Sequence, residues 1–504
     1  MATPLEIGAM VSLLAADGIR QIDDQTWKDL DLDCFTKRAS QDLSVTGQIF
    51  LHLRLRNGGT VEDIARFRTI LECSIDVPVF LDIFTKMRAA PVNICTPLFV
   101  SNFFAAPALG RLAWIPIPLL AASMLLLKFS LFGWLGVVCS LTFSALISIR
   151  LHLSMKSWHQ QREVLLNAIV AARLIRVQLP GEILSRLNLP TENQLDELQS
   201  QFRSTIWGRF DGVAEYANLL FLTQYTEMYR QLKAIKVQKQ TFRELVKSLS
   251  AFEADLGILN DAQKNSLTLS LVGSATLDQI VLCGLQNPLL PSGAPMSIEF
   301  NNKGMLLTGK NGIGKSTLLR TIGISVVLHR AFGVAYANQA RIGCNFVMSS
   351  MRIDDSLVFG DSSHVAEAKR IRDMIAFDGA ENGCLYIIDE VFNATNYIEA
   401  VAAAVPALYR LANRGLLLVS THNLIYVPLL RGILQPMKLE AAHDGFRILE
   451  NGVMGETNGL DILEEIGFDE RLVRQSRLLA ARLEEMLVNP DEAHLLTIGK
   501  LVQR

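Results

Sequence analysis

Between Asp82 and Glu163 the sequence has no acidic residue. It also lacks any pair of cysteines at metal-ligand or redox spacing. Its seven, at 34, 73, 95, 139, 283, 344 and 384, are scattered singly, which points to reduced thiols and excludes a disulfide framework. The first residues, MATPLEIGAMVSLL, have neither the basic start nor the cleavage site of a signal peptide. There is no repeat of fixed period and no low-complexity segment. A strong excess of one charge is missing too, and the formal −2 says nothing about nucleic acid, because local patches decide such binding. The 504 residues suffice for roughly two to four domains with their own cores. An intracellular protein with a cytoplasmic catalytic part is expected.

Half of the residues are apolar, and one region accounts for the excess. Leu112–Leu127 and Phe129–Ile149 carry no charge, with Lys128 between them and Arg111 before. The second run is long enough to span a hydrocarbon core of about 30 Å as a helix, and the first is marginal. A lysine at bilayer centre costs about 2.5 to 3.5 kcal/mol, so a hairpin would place Lys128 in its turn. Arg88, Arg111, Arg150, His152 and Lys156 would then flank its near side, anchoring the protein in an inner or plasma membrane through residues 112–149. The other reading is a buried helical pair in a soluble core, with Pro116 and Pro118 breaking the first run.

Patterning divides the chain into a helical region at 1–90, the apolar segment at 91–155, long lever-like helices at 156–275, an α/β domain at 276–445 and a helical tail at 446–504. From Leu277 short apolar runs alternate with glycines and helical stretches, as in a parallel α/β sheet. The fold class expected is therefore α plus α/β. Within the long helices Arg230, Lys233, Lys236, Lys239, Arg243 and Lys247 recur every three or four residues. Such a stripe suits nucleic acid or anionic lipid, and equally a solvated face.

The chemistry lies in the α/β section. In MLLTGKNGIGKSTLLR, Met305–Arg320, an apolar strand, a glycine-rich loop and a helix start follow in the order that a phosphate cradle requires. The match to GxxxxGKS is complete. Gly309, Gly312 and Gly314 let backbone N–H groups turn around a phosphate, and the helix near Lys315 aims its positive end at the same charge. Lys315 is placed to reach the β- and γ-phosphates of ATP, and Ser316 to ligate Mg²⁺. Asn311 and Thr317 complete the loop. LYIIDE, Leu385–Glu390, reads as a buried strand ending in two carboxylates: Asp389 for Mg²⁺, Glu390 to polarise the attacking water. LLLVSTH ends at His422, where a strand tip suits a sensor of the γ-phosphate.

TGKNGIGKST resembles the TGPNxxGKST loop of MutS proteins, and GLQNPLL, Gly284–Leu290, resembles their GRHPLL. IDDSLVFGDSSHVAEA, Ile353–Ala368, is similar to the stretch in which paired acids lead to GxSTFxxE. The tail from Gly455 to Glu484 resembles the family's C-terminal helices, which pack a dimer. Weaker similarity to the core and lever helices covers residues 20–90 and 155–260. The resemblance implies a P-loop fold of the ABC/MutS type, a Mg²⁺-dependent ATPase, a homodimer and DNA as partner. It further implies that Ser362, Ser363 and Glu367 lie in a signature segment that completes the neighbouring subunit's nucleotide site.

Departures from the family pattern carry expectations of their own. No mismatch-recognition domain is seen before the core, and the link Leu179–Pro190 leaves no room for a DNA clamp, so mismatch sensing is not expected. Asn287 stands at the histidine of the family's HP pair, and His364 at the phenylalanine after its serine pair. VFNATN replaces the glycine-rich IGRGTST, with Thr395 at the threonine's place.

Overall fold

The computed structural model describes residues 20–89, 94, 98–99, 115–126, 131–202, 223–301, 304–310, 312–351, 363–378, 383–392, 397–442, 445–450, 452, 470–471 and 473–478. Asn311, Ser362, Thr395 and most of the Gly455–Glu484 tail lie outside them, as do Leu112–Trp114 and Leu127–Ser130. Two compact units are present. One comprises Ile19–Arg38, Arg54–Ile64 and Asp261–Arg504, the other Ala39–Leu53, Ala65–Asn260 and the first residues.

Helices come first in chain order: α1 (Asp24–Asp29), α2 (Leu32–Ala39), α3 (Val45–Asn57), α4 (Val61–Cys73), α5 (Val77–Ile83) and α6 (Thr85–Ala89). There follow α7 (Pro116–Leu126), α8 (Leu131–Gln178), α9 (Gly181–Arg186), α10 (Glu192–Ser200), α11 (Thr223–Val237) and α12 (Lys239–Lys264). The polar half of α8 and the helices α10, α11 and α12 fall within the long helical patterns read from the sequence, of which residues 203–222 lie outside the described residues. Pro180 stands at the N-cap of α9, and Thr191 and Gln194 form a capping box on α10, so each proline marks a helix start.

The apolar region differs from expectation. Among the described residues no helix is long and apolar enough to cross a membrane, and the expected spanning hairpin over 112–149 is corrected accordingly. Pro116 and Pro118 lie in the first turn of α7, where a missing N–H is harmless, instead of breaking a longer helix. With 11 residues, α7 reaches only about 16 Å. The second run does not stop at Ile149, because α8 continues without a break for 48 residues.

In the helical unit the core also holds buried polar and ionisable side chains, among them His52, Gln231, Glu253 and Asp255. Arg66 Nε meets Asp255 Oδ2 at 2.7 Å, both buried. Glu253, fully buried, accepts from the Ser44 backbone N–H and, at 2.6 Å, from its hydroxyl.

The α/β unit is built on two sheets. The six-stranded one has the order β11 (Gly445–Glu450), β10 (Leu434–Ala442), β4 (Gly304–Thr308), β9 (Leu416–Ser420), β8 (Cys384–Asp389), β7 (Phe346–Ser350). It is parallel except for β11. Strands β4, β7 and β9 are buried along their whole length, as expected of a sheet covered on both faces. Helices α13 (Lys315–Phe332), α14 (Ser363–Ala376), α15 (Tyr397–Ala412) and α16 (Tyr426–Leu430) accompany it. The second sheet, β3 (Met296–Asn301), β2 (Gln279–Leu285), β6 (Gln339–Ile342), β1 (Leu269–Gly273), β5 (Val334–Tyr336), is mixed. Nothing in the sequence pattern pointed to it.

Two N-terminal pieces pack into this unit. Gly59 N–H donates to Arg330 O at 3.0 Å, and Arg54 Nε to Ala331 O at 2.8 Å, which satisfies carbonyls at the end of α13 that have no partner within the helix. A Cβ at Gly59 would stand 2.2 Å from Ala331 O, so only glycine permits that approach.

Candidate active site

Strands β4, β9 and β8 are neighbours in the parallel sheet, and each ends in a motif read from the sequence. Residues far apart in the chain therefore meet at the carboxyl ends of adjacent strands, the usual ligand position of parallel α/β folds.

The loop after β4 begins at Gly309. Gly312 and Gly314 have left-handed backbones, φ +77° and +98°, and a Cβ at either would meet nothing within 4 Å. Conformation rather than crowding demands glycine there, and the loop bends around open space as an anion cradle requires. Gly314 is the N-cap of α13, and Lys315 is its first residue. Buried Lys315 donates from Nζ to Gly309 O at 2.7 Å and Lys310 O at 3.0 Å. Burial holds its pKa below the ordinary lysine value, while Glu390 and Asp389 act in the opposite direction. Ser316 and Thr317 follow in the first turn, partly exposed.

At the tip of β8, Asp389 lies opposite Ser420 in register, and its Oδ1 accepts from the Ser420 hydroxyl. The next residue, Glu390, is left-handed at φ 61°, and its N–H donates to Ser420 O at 3.1 Å. Its Oε1 lies 3.0 Å from His422 Nδ1. That hydrogen bond raises the His422 pKa, against burial and the positive Lys315. His422 and Glu390 are both partly open to solvent, so a ligand and a water can reach them. A carboxylate held by a histidine beside a buried lysine and an empty glycine arch can bind a polyphosphate and polarise a water.

Helix α14 joins the same carboxyl end of the sheet. Ser363 is the first residue of α14. Buried Glu367 accepts through Oε1 from the Phe392 N–H, and Phe392 is itself left-handed at φ 54°. His364 packs edge-on against the Phe392 ring, centroids 5.7 Å apart. Burial pushes the Glu367 pKa up, countered by the Phe392 N–H and His364. Asn287 makes a local turn, its Oδ1 accepting from Leu289 N–H at 2.8 Å.

Sequence reasoning missed two features. Ser420 reads as an ordinary strand residue until register sets it against Asp389. Helix α1 also ties the end of β7 to α14. Asp29 Oδ2 accepts from Ser349 Oγ at 2.7 Å and Met351 N–H at 3.0 Å. On the other side, Arg370 of α14 donates to Thr26 Oγ1 at 2.8 Å and Ser349 O at 2.7 Å, and pairs with Asp23. The acid-rich start IDDQTW offered a signal, but nothing in it named the partners.

The donors fit a nucleotide with a hard cation: the Asp389 carboxylate and the Ser316 hydroxyl are oxygen ligands of the kind Mg²⁺ takes, together with phosphates. Among the described residues no group of three or more His, Cys, Asp or Glu could hold a metal by itself.

Residues 305–484 match the family described as MutS domain V. The chain is 26 % identical over 212 residues to the endonuclease MutS2 of Thermotoga neapolitana, covering 40 % of this chain and 28 % of the relative. It is 22 % identical over 330 residues to the DNA mismatch repair protein MutS of Sorangium cellulosum, covering 62 % of this chain and 34 % of the relative. The chain thus spans about a third or less of the length of these curated relatives. Over its phosphate loop, its acidic strand tip and the helices that follow, the chain is therefore similar to MutS domain V.

Proposed function

We propose that this protein is a Mg²⁺-dependent ATPase that works as a nucleotide-gated homodimer on DNA, in repair or recombination. The convergence of the glycine loop, Asp389, Glu390 and His422 at the ends of three adjacent strands carries the proposal. Gly309, Asn311, Gly312, Gly314 and Thr317 would line the phosphates, and Lys315 would exchange a loop carbonyl for phosphate oxygen. Ser316 and Asp389 would hold Mg²⁺, which supplies charge neutralisation on the phosphates. Glu390 orients and deprotonates water while His422 keeps its carboxylate aimed, so catalysis rests on positioning and electrostatics. Ser362 and Ser363 would serve the partner's site. DNA is supported by the names of the relatives and by Arg230, Lys233, Lys236 and Lys247, which are exposed on α11 and α12.

Glu390→Gln decides the catalytic assignment: ATP stays bound while turnover falls by about 10²- to 10⁴-fold, the range of general-base catalysis. Turnover within a few-fold of the parent protein overturns it.

A second reading, with a membrane as the partner, is favoured by one observation. The pair α7 and α8 turns large apolar side chains to the outside.

A further inference from the structure

Ser420 touches both acids of the strand tip. It is the last residue of β9, lies opposite Asp389 in register, and is fully buried. Its hydroxyl donates to Asp389 Oδ1, and its carbonyl accepts the Glu390 N–H at 3.1 Å. The pairing is built into the sheet, because residues in register on neighbouring strands send their side chains to the same face. Nearby hydroxyls are committed elsewhere: Thr308 Oγ1 donates to Met437 O at 3.2 Å, and Thr421 Oγ1 accepts from the Asn423 N–H at 3.0 Å.

Alanine or valine would suit a buried strand equally well, but neither could donate to the carboxylate. A hydroxyl bonded to an ionised carboxylate is among the stronger hydrogen bonds, and a carboxylate held through one oxygen no longer turns freely about its last torsion. The opposite oxygen, Oδ2, is then left to a cation. Mg²⁺ needs such order, because it takes its oxygen ligands in near-ideal octahedral geometry. Lys315 makes the constraint matter further. Its ammonium feels the Asp389 charge, while its Nζ is engaged by Gly309 O and Lys310 O. A carboxylate released from Ser420 would have that ammonium as an alternative partner, and a pair between them would withdraw both from a nucleotide.

We infer that Ser420 is a positioning residue of the nucleotide site: by holding Asp389 through Oδ1 it sets the affinity of that carboxylate for Mg²⁺. The inference rests on the ATPase reading and adds to it a residue outside both the phosphate loop and the acid pair. Groups that orient a metal ligand in this way typically contribute about 10- to 100-fold to metal affinity. The bond to Glu390 uses the backbone of Ser420, so the hydroxyl can be removed while the proposed base keeps its support.

Binding of a fluorescent, non-hydrolysable ATP analogue to the full chain, followed against free Mg²⁺ and in EDTA, tests it. In Ser420→Ala the Mg²⁺ concentration that gives half-maximal enhancement of binding should rise by about 10- to 100-fold, while affinity in EDTA stays that of the parent. Ser349→Ala is the structural control. It removes a buried hydroxyl from β7, on the other side of β8, where the partner is Asp29, and should lower stability without moving the Mg²⁺ requirement. Asp389→Asn separates the inference from the reading beneath it. Parent binding that is absent or ignores Mg²⁺, or an Asp389→Asn variant that answers Mg²⁺ as the parent does, overturns the metal assignment together with the inference. A parent-like Mg²⁺ response in Ser420→Ala, beside an impaired one in Asp389→Asn, leaves the ATPase reading standing and overturns the role of Ser420. So does a shift of equal size in Ser349→Ala, or a loss of Ser420→Ala binding that is already complete in EDTA.

Discussion

Glu390 and Phe392 both occupy the left-handed region, two residues apart, a conformation that costs non-glycine residues about 1–3 kcal/mol each. Hydrogen bonds oppose that cost: the Glu390 N–H reaches Ser420 O, and the Phe392 N–H reaches the Glu367 carboxylate. Glu367 thus acts as a positioning residue, linking the signature helix to the turn that carries the proposed base. In the helical unit, Glu253 illustrates a carboxyl shifted by its surroundings. Burial pushes its pKa from 4.5 up to about 7, against the two hydrogen bonds from Ser44 and the charge of Arg88. As pH rises above 4.5 the unfolded chain gives up this proton first, and the folded chain keeps it until about 7. The folded state binds the extra proton, so stability falls across that window, by about 3 kcal/mol in all. Glu253→Gln, with an amide that can serve both Ser44 groups, should flatten the dependence and raise stability at pH 8. Denaturant unfolding at pH 5 and pH 8 measures both effects, and an unchanged slope with pH would contradict them.

Among the elements, α1 has the largest consequence for its length. Its six residues are too few for a stable helix in isolation, and it persists because Asp23 caps it and Trp27 is buried. Arg56 lies over the Trp27 ring at 4.3 Å. Through Asp29 and Thr26 it grips the end of β7 and, through Arg370, helix α14. Asp29→Ala would leave the Ser349 hydroxyl and the Met351 N–H without their acceptor, at about 1–3 kcal/mol per unsatisfied group. We expect a loss of about 2–4 kcal/mol in denaturant unfolding, and a larger fractional loss of ATP turnover than of ATP binding. A variant as stable as the parent would show that α1 is dispensable. Helix α8 was only partly legible. Its polar half follows helical spacing, but its continuity from Leu131 to Gln178 was hidden by the change from apolar to polar composition at Arg150.

At the scale of the whole molecule, the basic stripe extends over two helices instead of one, since α11 ends at Val237 and α12 begins at Lys239. Arg243 is withdrawn from it, donating to Leu98 O at 2.7 Å and Phe99 O at 2.9 Å. If the stripe meets DNA, Lys233→Glu with Lys236→Glu should weaken binding uniformly across sequences. It should also reduce the slope of log affinity against log salt by up to about two, each phosphate contact contributing about 0.9. An unchanged slope would assign these lysines to a solvated face. Sequence alone marked the glycine arch, Lys315, the Asp389–Glu390 pair and His422 as candidates, because the proposed phosphate chemistry would need those residue types at fixed spacing next to strand ends. Strand order and register decided what lies beside them: Ser420 against Asp389, His422 on Glu390, and the N-terminal pieces at residues 19–38 and 54–64 in the α/β unit. The apolar run was visible as composition, but which side chains face inward depends on helix pairing. Contacts between residues hundreds of positions apart leave no local pattern, since each partner fulfils its own helix or strand preference whatever it meets across the fold.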